Sequence, residues 1–186
     1  MLGYTGRMLR IDQWRPNPTT AAYLEELNAL AEILHATVHG GASVSFILPF
    51  TVDDARTFWL NRVLPAVLTG GRRVLLARSE GSLCGTVQLD LALPPNQQHR
   101  AEIAKLLVHP NARRRGIGRA LMEAVEDIAR TEGRTLLTLD TRTGDSAEPL
   151  YQSLGYLTAG VIPNYARDPI SPDLQPTTFM YKSLAA

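Results

Sequence analysis

A cluster of arginines and glycines at the junction of a strand and a helix constrains this chain more than any other feature. The stretch 111–122 reads NARRRGIGRALM and directly follows the apolar segment LLVHP. The first turn of a helix leaves backbone N–H groups unpaired, and the helix dipole adds positive potential there. Gly116 and Gly118 leave room for a phosphate near the backbone, and the arginine side chains can bind its oxygens. The junction therefore predicts a phosphate or diphosphate site.

Nucleic acid, a nucleotide fold and plain solvent are the alternatives to a small phosphate-bearing ligand. A dinucleotide-binding fingerprint needs a third glycine where Leu121 stands, and the sequence has no Gly-Lys-Ser/Thr of a P-loop. Nucleic acid is disfavoured because the formal net charge is only +1 and the predicted helix also carries Glu123, Glu126 and Asp127. A solvated basic helix start explains one or two arginines, but it does not require two glycines.

The composition indicates one globular domain over residues 1–186. A chain of this length, 45% hydrophobic, can bury a core without crosslinks. Its single cysteine, Cys84, allows no intrachain disulfide and no cysteine-based zinc site. No segment approaches the roughly 18 apolar residues of a membrane span. We therefore expect a cytoplasmic protein that binds neither membrane nor nucleic acid.

Hydrophobic periodicity predicts a mixed α and β chain with a crossover between two parallel strands. A first helix is capped by Thr19 or Thr20, and a second begins with a capping-box spacing at Thr51 and is kinked at Pro65. Ser146 is expected to cap a short helix that contains Tyr151. The predicted strands are Met8–Gln13, two joined by a turn at Glu80-Gly81, AEIAKLLV, TLLTLD, Tyr156–Ile162 and Thr178–Leu184, the last two separated by a Pro-rich loop. The apolar stripe of the first helix comprises Leu24, Leu27, Ala31, Leu34 and Val38.

The motif Arg113-x-x-Gly116-x-Gly118, placed between a strand and an amphipathic helix, resembles the acetyl-coenzyme A signature of the GNAT superfamily of N-acetyltransferases. The downstream stretch LYQSLGY is similar to a second block of that family. Further stretches, TVHGGASV, RAEIAKLLVHPNARRRGIGRALM, LLTLDT and PNY, resemble the tabtoxin-resistance type within it.

This resemblance implies an α+β fold with three layers. Its mixed, mostly antiparallel sheet has about seven strands, is splayed between the fourth and fifth strands, and is accompanied by four helices. Acetyl-CoA is the implied cosubstrate, without a metal, and the backbone N–H of Val108 is the implied oxyanion donor. The implied cofactor-binding residues are Leu106, Leu107, Val108, Arg113, Arg114, Arg115, Gly116, Ile117, Gly118, Arg119 and Ala120.

Three side chains are candidates for proton transfer, because an amine must lose a proton before it attacks a thioester. Glu102 lies on the strand that leads to Val108, and period-two alternation predicts that both share a face. Asp140 ends the neighbouring parallel strand, where such sheets place ligands. Tyr151 matches a family tyrosine that protonates the departing thiolate. Glu102 could instead pair with Arg100 or Lys105 at the surface, Asp140 could form a turn, and Tyr151 could be a core residue.

The resemblance implies that the acceptor is a small, amino-acid-like molecule with a primary amino group, such as a toxin or antibiotic whose acetylation confers resistance. A protein or polyamine acceptor is the alternative, and a nucleic-acid or regulatory binding module is the alternative of another class. The protein is expected to be a monomer or a homodimer. The histidines match no metal-binding pattern. The residues expected near the acceptor are His39, Gly40, Gly41, Ser43 and Tyr165.

Overall fold

A seven-stranded sheet in the order β1-β2-β3-β4-β5-β7-β6 organises the computed structural model, which describes residues 9–184. All neighbouring strands are antiparallel except β4 and β5, which are parallel. The sheet and its mixed topology confirm the predicted fold class. Met8, the predicted first residue of β1, lies outside the described residues. The strands are β1 Leu9–Gln13, β2 Arg72–Ser79, β3 Ser82–Asp90, β4 Arg100–Val108, β5 Leu136–Arg142, β6 Leu157–Arg167 and β7 Leu174–Ser183.

Helices cover both faces of the sheet and produce two hydrophobic layers. The first layer contains α1 and α2, which pack on one face around Trp14 and Trp59. The second contains α4 and α5, whose apolar residues pack on the opposite face around Leu121 and Leu137. Among the described residues, no helix has the length and apolarity to cross a membrane. The helices are α1 Ala21–His39, α2 Val52–Phe58, α3 Leu64–Leu68, α4 Ile117–Thr131 and α5 Glu148–Ser153.

The N-terminal caps of α1 and α2 follow from the sequence, but one predicted core position of α1 is wrong. Thr20 caps α1 by accepting from the N–H of Tyr23. The predicted stripe continues through Leu27 as expected, but Leu24 is 56% exposed and Tyr23 is buried instead. One turn of the helix thus faces the sheet one residue earlier than the periodicity indicated.

A π-helical turn joins α2 and α3 into one continuous helix. Thr51 and Asp54 form the predicted capping box. The stretch Trp59–Val63 is a π-helical turn that runs directly into α3, where Pro65 occupies the first turn. Because proline lacks an N–H and its ring crowds the preceding turn, a widened turn before it relieves the conflict. The helix is therefore distorted before Pro65, where a kink was predicted, and α2 and α3 together count as one of four helices.

The sheet opens between β4 and β5. Their parallel pairing is limited to Arg100–Glu102 against Leu136–Thr138, in register, and the strands part beyond those residues. This confirms the predicted splay between the fourth and fifth strands. The backbone edges of both strands are left facing a gap.

A β-bulge interrupts β4 just where the gap begins. Gln88 of β3 pairs with Ala104, but Thr86 pairs with Leu107, so β4 carries one extra residue there. Lys105 adopts a left-handed φ of 51° within it. The extra residue reverses the alternation of side chains. The prediction that Glu102 and Val108 share a face is therefore wrong: Glu102 shares its face with Leu107.

The C-terminal hairpin and α5 differ from the prediction in their boundaries. Strands β6 and β7 extend well into the expected Pro-rich loop, and only a short turn around Asp168 separates them. Ser146 does not cap α5, because Ala147 occupies the N-cap position without a side-chain hydrogen bond. A proline within a strand is tolerated at an edge, and Pro163 lies on the edge strand β6.

Candidate active site

The turn between β4 and α4 presents a row of free backbone donors. Gly116 is the N-cap of α4 with φ 78°, and Arg114 also has a left-handed φ of 62°. In the described part of the chain, the N–H groups of residues 114–119 donate to no protein acceptor. Successive N–H groups in such alternating conformations form an anion-binding concavity. The turn is therefore suited to phosphate oxygens.

The two glycines of the turn serve different purposes. A Cβ on Gly116 would meet no heavy atom within 4 Å, so the space above it is open to a ligand. A Cβ on Gly118 would lie 3.3 Å from the Leu150 side chain, so that glycine permits the close approach of α5 to α4. Only Gly116 is required by the backbone conformation.

The arginines of the turn are not equivalent either. The Nε of Arg113 donates to the carbonyl of Val108 at 3.3 Å, which ties the turn to the end of β4. Arg119 donates to the Ser153 hydroxyl at 2.7 Å, which ties α4 to α5. Arg113, Arg114 and Arg119 line the cleft described next, whereas Arg115 is outside its lining.

A cleft of about 550 Å³ runs from this turn through the gap between β4 and β5 to the loop after α1. It brings together most of the residues that the sequence proposed for cofactor and acceptor. Leu107 faces the α1 layer instead and is 1% exposed, and Ala120 is also outside the lining. The predicted residues that line the cleft are Gly40, Gly41, Ser43, Leu106, Val108, Arg113, Arg114, Gly116, Ile117, Gly118, Arg119, Asp140 and Tyr151.

Asp140 and Tyr151 lie on one side of the cleft. Asp140 is exposed to it at a point where β5 has parted from β4. Tyr151 is 7% exposed. Burial raises its pKa well above the ordinary value, and the negative charges of Asp145 and Asp140 add to that effect. The Tyr151 phenol therefore stays protonated throughout the neutral range.

Glu102 lies outside the lining of the cleft. It belongs to the short stretch where β4 and β5 are still paired, and its side chain is 46% exposed. Its carboxylate lies 3.8 Å from Arg100, the partner considered in the alternative interpretation of the sequence. The two carboxylates proposed for proton transfer therefore have different surroundings, and only Asp140 faces the cleft.

Lys105 is a cleft residue that the sequence analysis did not select. Its Nζ donates to the Ser45 hydroxyl at 3.0 Å across the cleft. Burial lowers its pKa, while the charges of Asp140 and Glu102 act in the opposite direction. The signal in the sequence was a lone lysine inside an apolar strand, but the bulge that aims it depends on pairing with β3.

The loop after α1 forms one end of the cleft. The loop after α1 contributes residues 40–45, and it is attached to the β6–β7 turn by a hydrogen bond of 2.9 Å from the Leu48 N–H to the Pro169 carbonyl. Two residues expected near the acceptor lie elsewhere. The Nε2–H of His39 donates to the Phe50 carbonyl at 2.8 Å outside this cleft, and Tyr165 packs edge-on against Phe179. No cluster of three or more potential metal ligands occurs among residues 9–184.

Comparisons with known proteins agree with this architecture. The model of the acetyltransferase (GNAT) family matches residues 42–156. A curated relative, an IAA acetyltransferase of Azospirillum brasilense, is 33% identical over 102 residues, which are 53% of this chain and 63% of the relative. The chain thus spans less than two thirds of that relative's length.

Solved structures share the fold. An N-acetyltransferase of Staphylococcus aureus Mu50 matches with a TM-score of 0.77 at 20% identity, over 95% of this chain and 98% of the other. The yncA protein of Salmonella typhimurium, solved with its cofactor acetyl-CoA, matches with a TM-score of 0.75 at 20% identity, over 95% and 94%. At 20% identity these structures show a shared fold, and the family match over residues 42–156 gives the class, an acyltransferase. The chain belongs to the acetyltransferase (GNAT) family, as the sequence predicted.

Proposed function

We propose that this protein is an acetyl-CoA-dependent N-acetyltransferase that acetylates the primary amine of a small, amino-acid-like acceptor. The observation that carries the proposal is the continuity of one cleft. It joins the free N–H groups of residues 114–119 to Asp140 through the gap between β4 and β5.

The residues of the cleft fit acetyl-CoA. The free donors of the turn and the open space above Gly116 suit its pyrophosphate. The parted edges of β4 and β5 offer backbone groups to an extended pantetheine arm. When bound, acetyl-CoA supplies an acetyl group activated as a thioester. Arg113, Arg114 and Arg119 are placed to add charge-assisted hydrogen bonds to the phosphates.

Three groups of the chain would each assist a different step of acetyl transfer. The backbone N–H of Val108, at the end of β4, would polarise the acetyl carbonyl. Asp140 would accept the proton of the acceptor ammonium, either directly or through a water. Tyr151, whose pKa burial raises, would donate a proton to the departing thiolate. Glu102 would contribute only at a distance, because it lies outside the cleft lining.

The biological role proposed within this function is resistance to an amino-acid-like toxin, such as tabtoxinine-β-lactam. The sequence blocks that resemble the tabtoxin-resistance type support it. Protein and polyamine acceptors are the alternatives within the same chemistry.

Release of free thiol from acetyl-CoA, measured against a panel of small amines, tests the proposal with Asp140→Asn and Glu102→Gln alongside. We expect turnover in the wild type, a loss of about 100-fold in kcat for Asp140→Asn, and a smaller loss for Glu102→Gln. Binding of acetyl-CoA without turnover of any amine, in all three proteins, would instead indicate a binding protein without chemistry. Salt-sensitive binding of nucleic acid without binding of acetyl-CoA would support the other class.

A further inference from the structure

Lys105 is one of only two lysines among the 19 lysine and arginine residues of the chain. The other, Lys182, forms an ion pair of 2.6 Å with Glu126. Lys105 has no such partner: among residues 9–184, no carboxylate lies within 4.0 Å of its Nζ. The cleft therefore contains an ammonium group without a counter-ion in contact.

The surroundings of Lys105 hold the ammonium without neutralising it. The Nζ donates to Ser45 at 3.0 Å and lies 5.9 Å and 6.0 Å from the ring centroids of Phe46 and Phe58. A hydroxyl and two aromatic faces compensate only part of the hydration that a half-buried ammonium loses. Consistent with this deficit, burial lowers the Lys105 pKa. An anion delivered by a ligand would complete the site.

Lys105 and Asp140 lie on opposite walls of the same gap. Lys105 belongs to the bulge of β4, and Asp140 belongs to β5 beyond the point where the two strands part. Both line the cleft, and the charge of Asp140 acts on Lys105 without an ion pair between them. A positive and a negative group that face one space match the two charges of a free amino acid.

We propose that Lys105 binds the carboxylate of the acceptor, so that the enzyme selects amino acids over simple amines and polyamines. In this arrangement the acceptor's amine lies toward Asp140 and its carboxylate toward Lys105 and Ser45. A polyamine would instead place a second ammonium beside Lys105, which is unfavourable. The inference rests on the proposed function, whose acceptor it specifies.

The test compares acceptors that differ in the carboxylate. Acetylation of L-phenylalanine and L-lysine is measured against phenethylamine and cadaverine, in the wild type and in Lys105→Met. We expect the wild type to prefer each amino acid at least tenfold in kcat/KM, mainly through KM. In Lys105→Met the KM for the amino acids should rise at least tenfold, and that for the simple amines should not rise. An unchanged preference in the variant, or a wild type that prefers the simple amines, would overturn the inference.

A binding measurement separates this inference from the proposed function. Calorimetric titration of the coenzyme A-saturated protein with N-acetyl-L-phenylalanine and N-acetyl-L-lysine needs no turnover. Binding that weakens at least tenfold in Lys105→Met supports the inference even if no amine is acetylated, in which case the proposed function alone fails. If the wild type binds neither compound and prefers neither amino acid, the inference is wrong even where simple amines are acetylated.

Lys182→Met is the matched control, because it removes the other lysine from a site outside the cleft. Glu126 retains Arg130 as a partner at 3.4 Å in that variant. Circular dichroism and acetyl-CoA affinity verify the fold of each variant, and Lys105→Gln repeats the test with a polar side chain. We expect Lys182→Met to keep the acceptor preference of the wild type.

Discussion

Tyr151 combines a packed ring with a phenol that remains protonated. Its ring lies 6.0 Å from that of Tyr156, edge to face, and burial holds its pKa well above the ordinary value. We expect Tyr151→Phe to lower kcat about 100-fold, since the ring stays but the proton donor is lost. Because its pKa is raised, Tyr151 should stay protonated up to the ordinary tyrosine pKa of about 10. Loss of its proton should therefore cause no fall in the wild-type kcat below that pH.

The measurement is kcat as a function of pH, together with thermal unfolding. Tyr151→Phe should unfold at close to the wild-type temperature, which separates loss of the proton donor from loss of packing. An unchanged kcat would leave Tyr151 with the core role that the sequence also allowed.

Gly116 and Arg114 separate backbone conformation from charge in the turn. A residue that replaces Gly116 must keep a backbone φ near 78°. Its side chain would project into the open space above the free N–H groups. We expect Gly116→Glu to weaken acetyl-CoA binding at least tenfold, because its carboxylate competes with phosphate and its backbone is strained. Arg114→Ala removes one cleft-lining cation and should cost less than about tenfold. Calorimetric titration measures both, and equal losses would mean that the glycine has no special role.

The sequence could predict a phosphate site at the turn because the residues that suggest it are close together in the chain. Glycine spacing, the preceding strand and the following helix all lie within about a dozen residues. The position of Lys105 in the cleft could not be predicted in this way. Its direction depends on a bulge that only the pairing of β4 with β3 creates, and the same bulge made the alternation from Glu102 to Val108 misleading.

At the scale of the element, the apolar periodicity of α1 and its observed packing disagree at one position. Leu27 is 3% exposed, whereas Leu24, one turn earlier on the predicted stripe, is exposed. We expect Leu27→Ala to lower the free energy of unfolding by about 3 kcal/mol and Leu24→Ala to change it by less than about 0.5 kcal/mol. Chemical denaturation measures both variants. Comparable losses from the two would contradict the described orientation of the helix.

The predicted caps of α1 and α2 are confirmed, whereas Ser146 does not cap α5, and boundaries that tertiary contacts set were predicted poorly. Thr20 and Thr51 cap their helices through their own side chains, which a local pattern can reveal. Strands β6 and β7 are longer than expected because they pair with each other within the segment that contains the prolines. The π-helical turn before Pro65 likewise depends on continuing the helix into α3.

At the scale of the whole molecule, the family match confirms the predicted family, and the short pairing of β4 with β5 confirms the predicted open sheet. The resemblance carried that prediction, since no local pattern specifies the order in which seven strands pair. What the sequence could not indicate is how distant loops meet. The loop after α1 reaches the β6–β7 turn through Leu48 and Pro169, and Arg142 of β5 pairs with Asp168 at 2.9 Å.

The bulge at Lys105 also opposes closure of the gap between β4 and β5. Two strand edges that face each other in an open sheet could pair along their full length, which would erase the cleft. An extra residue bends its strand and puts the ladder out of step, and an inward-pointing charge discourages pairing further. The bulge supplies both on β4. The same irregularity that directs Lys105 into the cleft thus opposes full pairing of the two strands that border it.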